Sequence, residues 1–260
     1  MLAVGIGCCG FPVSRKSYYR RFACVEVQQT FYHPPTKETL TRWRQEAPEQ
    51  FEFTVKAWQL ITHTPHSPTY RRLRMEIPKG KSSHYGNFLP TDEVFQAWNS
   101  TRDAAKILGA HIVIFQSPRS FGSSQENRSN VKAFFQTIDR DALLIGWEPR
   151  GWDETDVRML CHDLGLFRVV DPYQERGGYG QIAYWRLHGI GGYRYRYSDE
   201  NLSELLRGVH ADKTHYVMFN NLSMFQDGLR FKEMWERDQS ERLQVSGLGC
   251  VAQALRKHRF

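Results

Sequence analysis

The sequence predicts a single-domain α/β chain folded as a TIM (β/α)8 barrel with a long insertion after the third strand. Three observations carry this. Eight short apolar runs are spaced along the 260 residues, most of them separated by segments patterned for a helix; that alternation is what parallel β-α units produce. Eight such units in a chain of this length match a closed barrel, with an open doubly wound sheet as the alternative. A polar or ionisable residue recurs at the C-terminal end of run after run, where a barrel of this kind places its chemistry.

The runs are Ala3–Cys9, Cys24–Thr30, Phe51–Ala57, His111–Ser117, Leu143–Glu148, Phe167–Asp171, Ile182–His188 and His215–Asn221. The first leads into Gly5-Ile-Gly-Cys-Cys-Gly10, a literal G-x-G-x-x-G with Glu26 downstream. Pro12 directly after it, a poor helical pattern up to Cys24 and the placement of Glu26 inside its strand argue against a dinucleotide site, so no dinucleotide is expected. The glycines instead let the strand turn tightly into its loop. Thr36–Ala47 follows Pro34-Pro35, stops before Pro48 and reads as a helix capped by Thr36. In the third run Glu52, Thr54 and Lys56 alternate against Phe51, Phe53 and Val55.

Trp58–Pro90 is the long insertion, rich in basic residues and including His63, His66, Arg71, Arg72 and Arg74. Long structured insertions serve as lids or binding loops; a solvated loop is the plain alternative. Further helices are expected over Thr91–Gly109, with Val94, Phe95, Trp98, Ala105 and Leu108 on a helical period, and over Ser129–Arg140, Asp153–Gly165, Asp199–His210 and Phe231–Arg242. Ser129, Asp153 and Asp199 are their candidate N-caps, and Ser246–Arg259 adds a closing helix. In the seventh run Ala183, Trp185 and Leu187 share one face and Tyr184, Arg186 and His188 the other.

Hydrophobic residues make up 40% of the chain, enough for a full core, and no repeat, low-complexity tract or linker divides it. Residues 1–260 therefore read as one domain. No run of about 18 apolar residues is present, so no membrane span is expected, and Met1–Gly10 is not patterned as a signal peptide. Five cysteines without a C-x-x-C pair read as free, buried thiols in a reducing cytoplasm. Adjacent Cys8 and Cys9 would point to opposite faces of a strand; a reactive thiol at either is the alternative. The formal net charge of +7 permits nucleic acid or a small anionic substrate as partner.

The run ends carry Glu26 and Gln28, Lys56, Gln116, Glu148 and Arg150, Asp171, Arg186 and His188, and Asn220 and Asn221. A barrel would bring them to one mouth, where buried charges need one another as partners. The group reads as a catalytic site or as a structural ion-pair network. Glu26, Glu148, Asp171 and His188 are also suitable ligands for a divalent metal, although no H-E-x-x-H type of spacing supports one. Two carboxylates facing across the mouth would suit a glycosidase, and Lys56 and Arg186 would hold a phosphate or carboxylate. Tyr193-Arg-Tyr-Arg-Tyr197, Tyr18-Tyr-Arg-Arg21 and Tyr70-Arg-Arg-Leu-Arg74 interleave aromatic and basic residues, a pattern suited to nucleic acid, or to tyrosines that simply cover the barrel.

Six ordered segments, Val25–Tyr32, Phe51–Ala57 with Ile61–His63, Trp147-Glu-Pro-Arg-Gly-Trp152, Val169-Val-Asp-Pro172, Arg186-Leu-His-Gly189 and Phe219-Asn-Asn221, resemble the family catalogued as domain of unknown function 72, or YecE-like. The resemblance spans nearly the whole chain. It implies a one-domain TIM barrel and carries no established activity. Its motif positions correspond here to Glu26, Thr30, Tyr32, Lys56, His63, Glu148, Arg150, Trp152, Asp171, Arg186, His188, Asn220 and Asn221. The family's G-T-S-G-W opening is Gly7-Cys-Cys-Gly-Phe11 here, and Gly151 stands where the family often has histidine. Any chemistry that used those hydroxyls or that histidine would be altered in this chain.

These observations lead to an expected hydrolase acting on a phosphate-containing substrate, with nucleic acid among the candidates. Lys56 and Arg186 would stabilise negative charge. Glu148 and His188 would serve as base and acid. Glu26 and Asp171 would orient them or ligate a metal that activates water. His63, Arg150, Tyr32, Trp152, Asn220 and Asn221 would contact the ligand. The alternatives are a non-catalytic module that binds nucleic acid or an anionic ligand, and a metal-free glycosidase using Glu26 and Glu148.

Overall fold

Short runs of β-branched and aromatic residues, apolar on both faces, form the eight strands β1 (Val4–Cys9), β2 (Cys24–Val27), β3 (Glu52–Lys56), β4 (Ile112–Gln116), β5 (Leu144–Glu148), β6 (Phe167–Val170), β7 (Ala183–Leu187) and β8 (His215–Phe219). In the computed structural model each pairs in parallel with the next, and β8 returns to β1, closing the barrel. The structure describes residues 3–175, 177–209 and 213–257, with side chains described through Arg242 and at Gln244.

Alternation sorts the side chains into two cores. Inside the barrel lie Cys9, Cys24, Ile112, Ile114, Phe167, Val169, Tyr184, Tyr216 and Met218. Outside it, Val25, Phe53, Val55, Phe115, Trp147, Leu187 and Phe219 pack beneath the helices. Cys8 and Cys9 do face opposite ways, one in each core, and Cys8, Cys9, Cys24 and Cys161 are free and buried. The side chain of Cys250 lies outside the described residues. Gly7 sits where β1 crosses β2 most closely; a Cβ there would fall inside the shell of the Cys24 carbonyl oxygen.

The helices are α1 (Arg15–Tyr19), α2 (Gln29–Tyr32), α3 (Lys37–Glu46), α4 (Gln59–Thr62), α5 (Asp92–Leu108), α6 (Gln125–Thr137), α7 (Glu154–Leu164), α8 (Asp199–Arg207) and α9 (Met224–Lys257). Thr36, Thr91 and Asp153 cap α3, α5 and α7 by accepting from backbone N–H groups. No described helix is long and apolar enough to cross a membrane.

Several boundaries differ from expectation. β2 stops at Val27 rather than Thr30, because the Thr30 hydroxyl turns back to the carbonyls of Val27 and Lys56 and the chain winds into α2. The stretch before Cys24 holds α1 despite its poor pattern. Its Tyr18 is fully buried and its hydroxyl joins the Cys8 N–H to the Cys24 carbonyl, tying β1 to β2. α6 is capped by Ser124, not Ser129, and α8 by Ser198 in a capping box with Asn201, not by Asp199. α8 ends at Arg207; His210 lies outside the described residues. Phe231–Arg242 and the described part of Ser246–Arg259 belong to one helix, α9, which no proline interrupts; Arg259 lies outside the described residues.

The insertion is anchored at its ends. Gly86 and Phe88 donate backbone N–H groups to Leu60 and Ile61, and the Tyr70 hydroxyl donates to the His63 carbonyl. Phe88 is fully buried against Phe121, Phe134 and Phe135. Gly86 has φ of 84°, and a Cβ there would sit 2.5 Å from the His63 backbone. Between these anchors Arg71, Arg72 and Arg74 are exposed.

Candidate functional site

The inward residues at the ends of β2, β3, β4, β5 and β7 build a stack of charges at the C-terminal mouth. At its base the Thr54 hydroxyl lies 2.7 Å from that of Tyr184, which donates to Glu26 Oε2 at 3.0 Å. Glu26 is fully enclosed and also accepts from the Gln28 amide. Above it lies Arg186, equally enclosed, with Nη2 3.0 Å from Glu26 Oε1 and Nη1 paired with Glu148 Oε2 and donating to Gln116 Oε1 at 3.1 Å. One guanidinium therefore bridges two carboxylates.

The upper layer is more open. Arg150 Nη2 donates to Glu148 Oε1 at 2.9 Å and lies 3.1 Å from His188 Nε2. Asp171 Oδ2 accepts from the backbone N–H of His188 at 2.9 Å and lies 3.3 Å from its Nδ1. This network assigns the proton to Nδ1 and leaves Nε2 as the acceptor facing Arg150. The side chains of Arg150 and His188 are 41% and 19% exposed, against 0% for Arg186, so these two are the polar groups of the network that a ligand reaches first.

Lys56 completes the mouth. Its Nζ donates to Gln116 Oε1 at 2.7 Å and lies 3.8 Å from the centre of the Phe31 ring. Burial, and then the nearby Arg186, lower its amine to about 7 against the opposing pull of Glu26 and Glu148. Glu148 shifts the other way. Burial opposes its charge, but Arg186, His188 and Arg150 outweigh burial and hold the carboxyl well below the usual carboxylate range. His63 packs on Phe31 with Nδ1 2.7 Å from the Thr62 hydroxyl; burial, then Lys56 and Arg150, lower it to about 3, so its imidazole is neutral.

The structure thus brings together Glu26, Lys56, Glu148, Arg150, Asp171, Arg186 and His188, with His63 beside Lys56 and Arg150. It redirects others. The Asn221 amide donates to Asp227 and to the Tyr195 carbonyl, so it pins loops. Trp152 donates to the Phe121 carbonyl and packs edge-on against Trp147. Asn220 is partly exposed after β8, and Tyr32 lies on the outer side of α2 beneath Arg72. In the Tyr193–Tyr197 loop, Tyr197 is buried and Tyr195 bonds Asn201, which leaves Tyr193 with Arg194 and Arg196 exposed. Gln116 and Tyr184 join the site as hydrogen-bonding residues to which the sequence had assigned no role. Both could have been read from alternation, since Tyr184 shares a face with Arg186 and His188, and Gln116 ends its run.

Several expectations need correction. Arg186 cannot hold a ligand, because it is sealed between Glu26 and Glu148 and its charge is balanced there. The glycosidase arrangement needs an open gap between Glu26 and Glu148; the Arg186 guanidinium fills it. Glu26, Glu148, Asp171 and His188 do not fit a divalent metal as placed. Their oxygens and nitrogens are taken up by one another and by arginines, and among the described residues no three His, Cys, Asp or Glu side chains gather as a metal site. The thiols at Cys8 and Cys9 are pushed up, chiefly by burial, and so are not reactive as they stand.

Similarity to known proteins agrees with this architecture. The model of the family described as "Protein of unknown function DUF72" matches residues 14–247. No curated protein matches the chain in sequence. A DUF72 family protein from Enterococcus faecalis is 17% identical with a TM-score of 0.68, covering 90% of this chain and 97% of its own. A D-psicose 3-epimerase crystallised in the presence of D-fructose is 12% identical with a TM-score of 0.54 and 85% coverage of each chain. Endonuclease IV from Thermus thermophilus is 8% identical with a TM-score of 0.51, covering 92% of this chain and 99% of its own. At these identities the likeness is one of fold.

Proposed function

The chain belongs to the DUF72 family, whose description names no activity, and we propose from the geometry of the barrel mouth that it hydrolyses phosphate esters by acid–base catalysis. The observation that carries this is the Asp171–His188–Arg150 line, in which a carboxylate orients an imidazole whose Nε2 lies 3.1 Å from a partly exposed guanidinium. That is a base beside an anion-binding group. His188 Nε2 takes a proton from water as the water oxygen attacks phosphorus. Arg150 stabilises the charge gathering on the phosphoryl oxygens. The ester P–O bond breaks, and the leaving oxygen takes a proton from the Lys56 ammonium, an acid matched to neutral pH by its lowered value of about 7. Glu148 and Arg186 act through others: Glu148 positions Arg150, and Arg186 holds Glu148 and Glu26 in place. The likeness of fold to endonuclease IV and the +7 charge make a nucleic-acid strand the first ester to try.

The test is turnover of phosphate mono- and diesters, oligonucleotides included. His188→Ala should remove activity with an unchanged circular dichroism spectrum. Asp171→Asn should lower turnover by about 10²–10⁴ while ligand affinity persists. If wild type binds an anion but turns over no phosphate ester, the mouth is a binding module. If His188→Ala retains full turnover, the assignment fails.

A further inference from the structure

Beside the mouth, on the other side of α2, lies a second concavity of about 600 Å³ between the α2–α3 connection and the exposed part of the insertion. Tyr32, His33, Trp43, Arg71, Arg72 and Arg74 contribute to its walls. The turn of α2 is the partition between the two spaces: Phe31 lies under Lys56, and Tyr32 faces the cleft.

Two features mark the cleft as built for a ligand. Arg71, Arg72 and Arg74 are exposed, and among the described residues none forms an ion pair. Uncompensated guanidiniums along one wall call for an anion, and their forked donors match phosphate. The Arg72 guanidinium carbon lies 3.5 Å from the centre of the Tyr32 ring, at stacking distance, which leaves its opposite face as a platform for a planar ring.

We propose that this cleft binds one nucleotide, its phosphate on Arg71 and Arg74 and its base stacked over Arg72. The volume suits a single nucleotide. The proposal rests on the reading of the mouth as a phosphate-ester site and deepens it: the cleft would hold the unit flanking the ester at Lys56 and His188. Two sources share this chemistry, a nucleotide within a single strand and a free mononucleotide.

The experiment follows fluorescence anisotropy of a labelled oligothymidylate about ten nucleotides long and of a labelled adenosine monophosphate, across a salt series. All proteins carry His188→Ala, so that binding is read apart from turnover. Arg71→Ala with Arg74→Ala should weaken binding about tenfold and lower the salt slope by about 0.7, the value for one lost phosphate contact on a single strand. Arg72→Lys, which keeps the charge and removes the planar face, should weaken binding with little change in slope. Arg207→Ala with Arg237→Ala, exposed basic residues elsewhere on the surface, should change it less than about twofold. Sensitivity with the oligomer alone assigns a strand; equal sensitivity with the mononucleotide assigns a free nucleotide. Wild-type affinity and slope in the Arg71, Arg74 variant overturn the proposal, and so does an equal loss in both double variants, which would mean diffuse charge. If the hydrolase reading fails instead, the arginine-dependent binding persists while the His188 protein cleaves nothing.

Discussion

Replacing Arg186 with methionine tests whether the middle of the mouth is an internally balanced unit. Arg186 is fully enclosed, bridges Glu26 and Glu148, and shares Gln116 with Lys56. Without it, Glu148 retains Arg150 at 2.9 Å, but Glu26 loses its ion pair and keeps only the Gln28 and Tyr184 hydrogen bonds. Removing one partner of a buried pair typically costs about 3–5 kcal/mol, because a charge is left uncompensated in a poorly solvating interior. For a chain of this size that corresponds to a fall in Tm of roughly 6–20 °C. The assay is urea denaturation of wild type, Arg186→Met, Glu26→Gln and the double variant. Because glutamine at 26 needs no cation, the double variant should recover about 1–3 kcal/mol of the single loss, within the usual range of coupling between touching residues. An Arg186→Met loss below about 1 kcal/mol, or a double variant no more stable than the single, would refute the reasoning.

Other outcomes follow from the same geometry. The Lys56 amine titrates near 7 in the folded chain and near 10.4 when unfolded. Below about 7 both states hold the proton. Between the two values the unfolded chain binds more protons, so the Lys56 contribution to stability rises with pH in that window. Phosphate-ester turnover should fall over the same window as the acid is lost. Lys56→Met should abolish both trends, and turnover that keeps rising past pH 8 in wild type would exclude Lys56 as the acid. An anion bound at the mouth should raise the Lys56 value, so phosphate binding near neutral pH should take up a proton. Calorimetry in buffers of different ionisation enthalpy reads that uptake, and none would place the anion elsewhere. Gly7→Ala should cost about 1–3 kcal/mol in urea denaturation, since the added methyl meets the Cys24 carbonyl across the β1–β2 pair; wild-type stability would show that the strands separate freely.

Much of this was legible in the sequence, and the reason is periodicity. Each strand lies inside an apolar run, and alternation alone put Tyr184, Arg186 and His188 on one face. Once eight parallel strands close, the residues ending them must meet, so the gathering of Glu26, Lys56, Glu148, Asp171, Arg186 and His188 follows from topology. What periodicity could not supply is depth and distance. Arg186 and Arg150 look alike in the sequence, yet one lies a layer below the other and is spent on two carboxylates contributed by β2 and β5. That allocation depends on strand register across the barrel, a non-local property. The same limit explains Asn221 and Trp152, whose polar atoms find partners at the start of α9 and on the loops carrying Tyr195 and Phe121. Caps failed for a different reason. Ser124, Ser198 and the polar residues near them offer several side chains of similar capping strength, and packing of the helix face decides which one serves.

The vertical order of charge gives the site its direction. From the base upward Glu26, Arg186, Glu148 and Arg150 alternate in sign, each held by the next, and exposure grows along the series. A group buried between opposite charges is fixed in position and in ionisation, so the lower three supply rigidity rather than chemistry. Arg150 ends the series with one face on Glu148 and the other toward solvent and His188. Lys56 stands outside the series. It touches no carboxylate directly, only Gln116 and the Phe31 ring. Its value is lowered first by burial and then by Arg186, against the opposing pull of Glu26 and Glu148. The mouth therefore presents two cationic groups, Arg150 with part of its surface open and Lys56 hydrogen-bonded to an amide, together with an imidazole oriented by Asp171. An anion entering there meets the open side of Arg150, and that opening is the physical ground for reading the mouth as a site for anionic esters and not as a closed salt-bridge network.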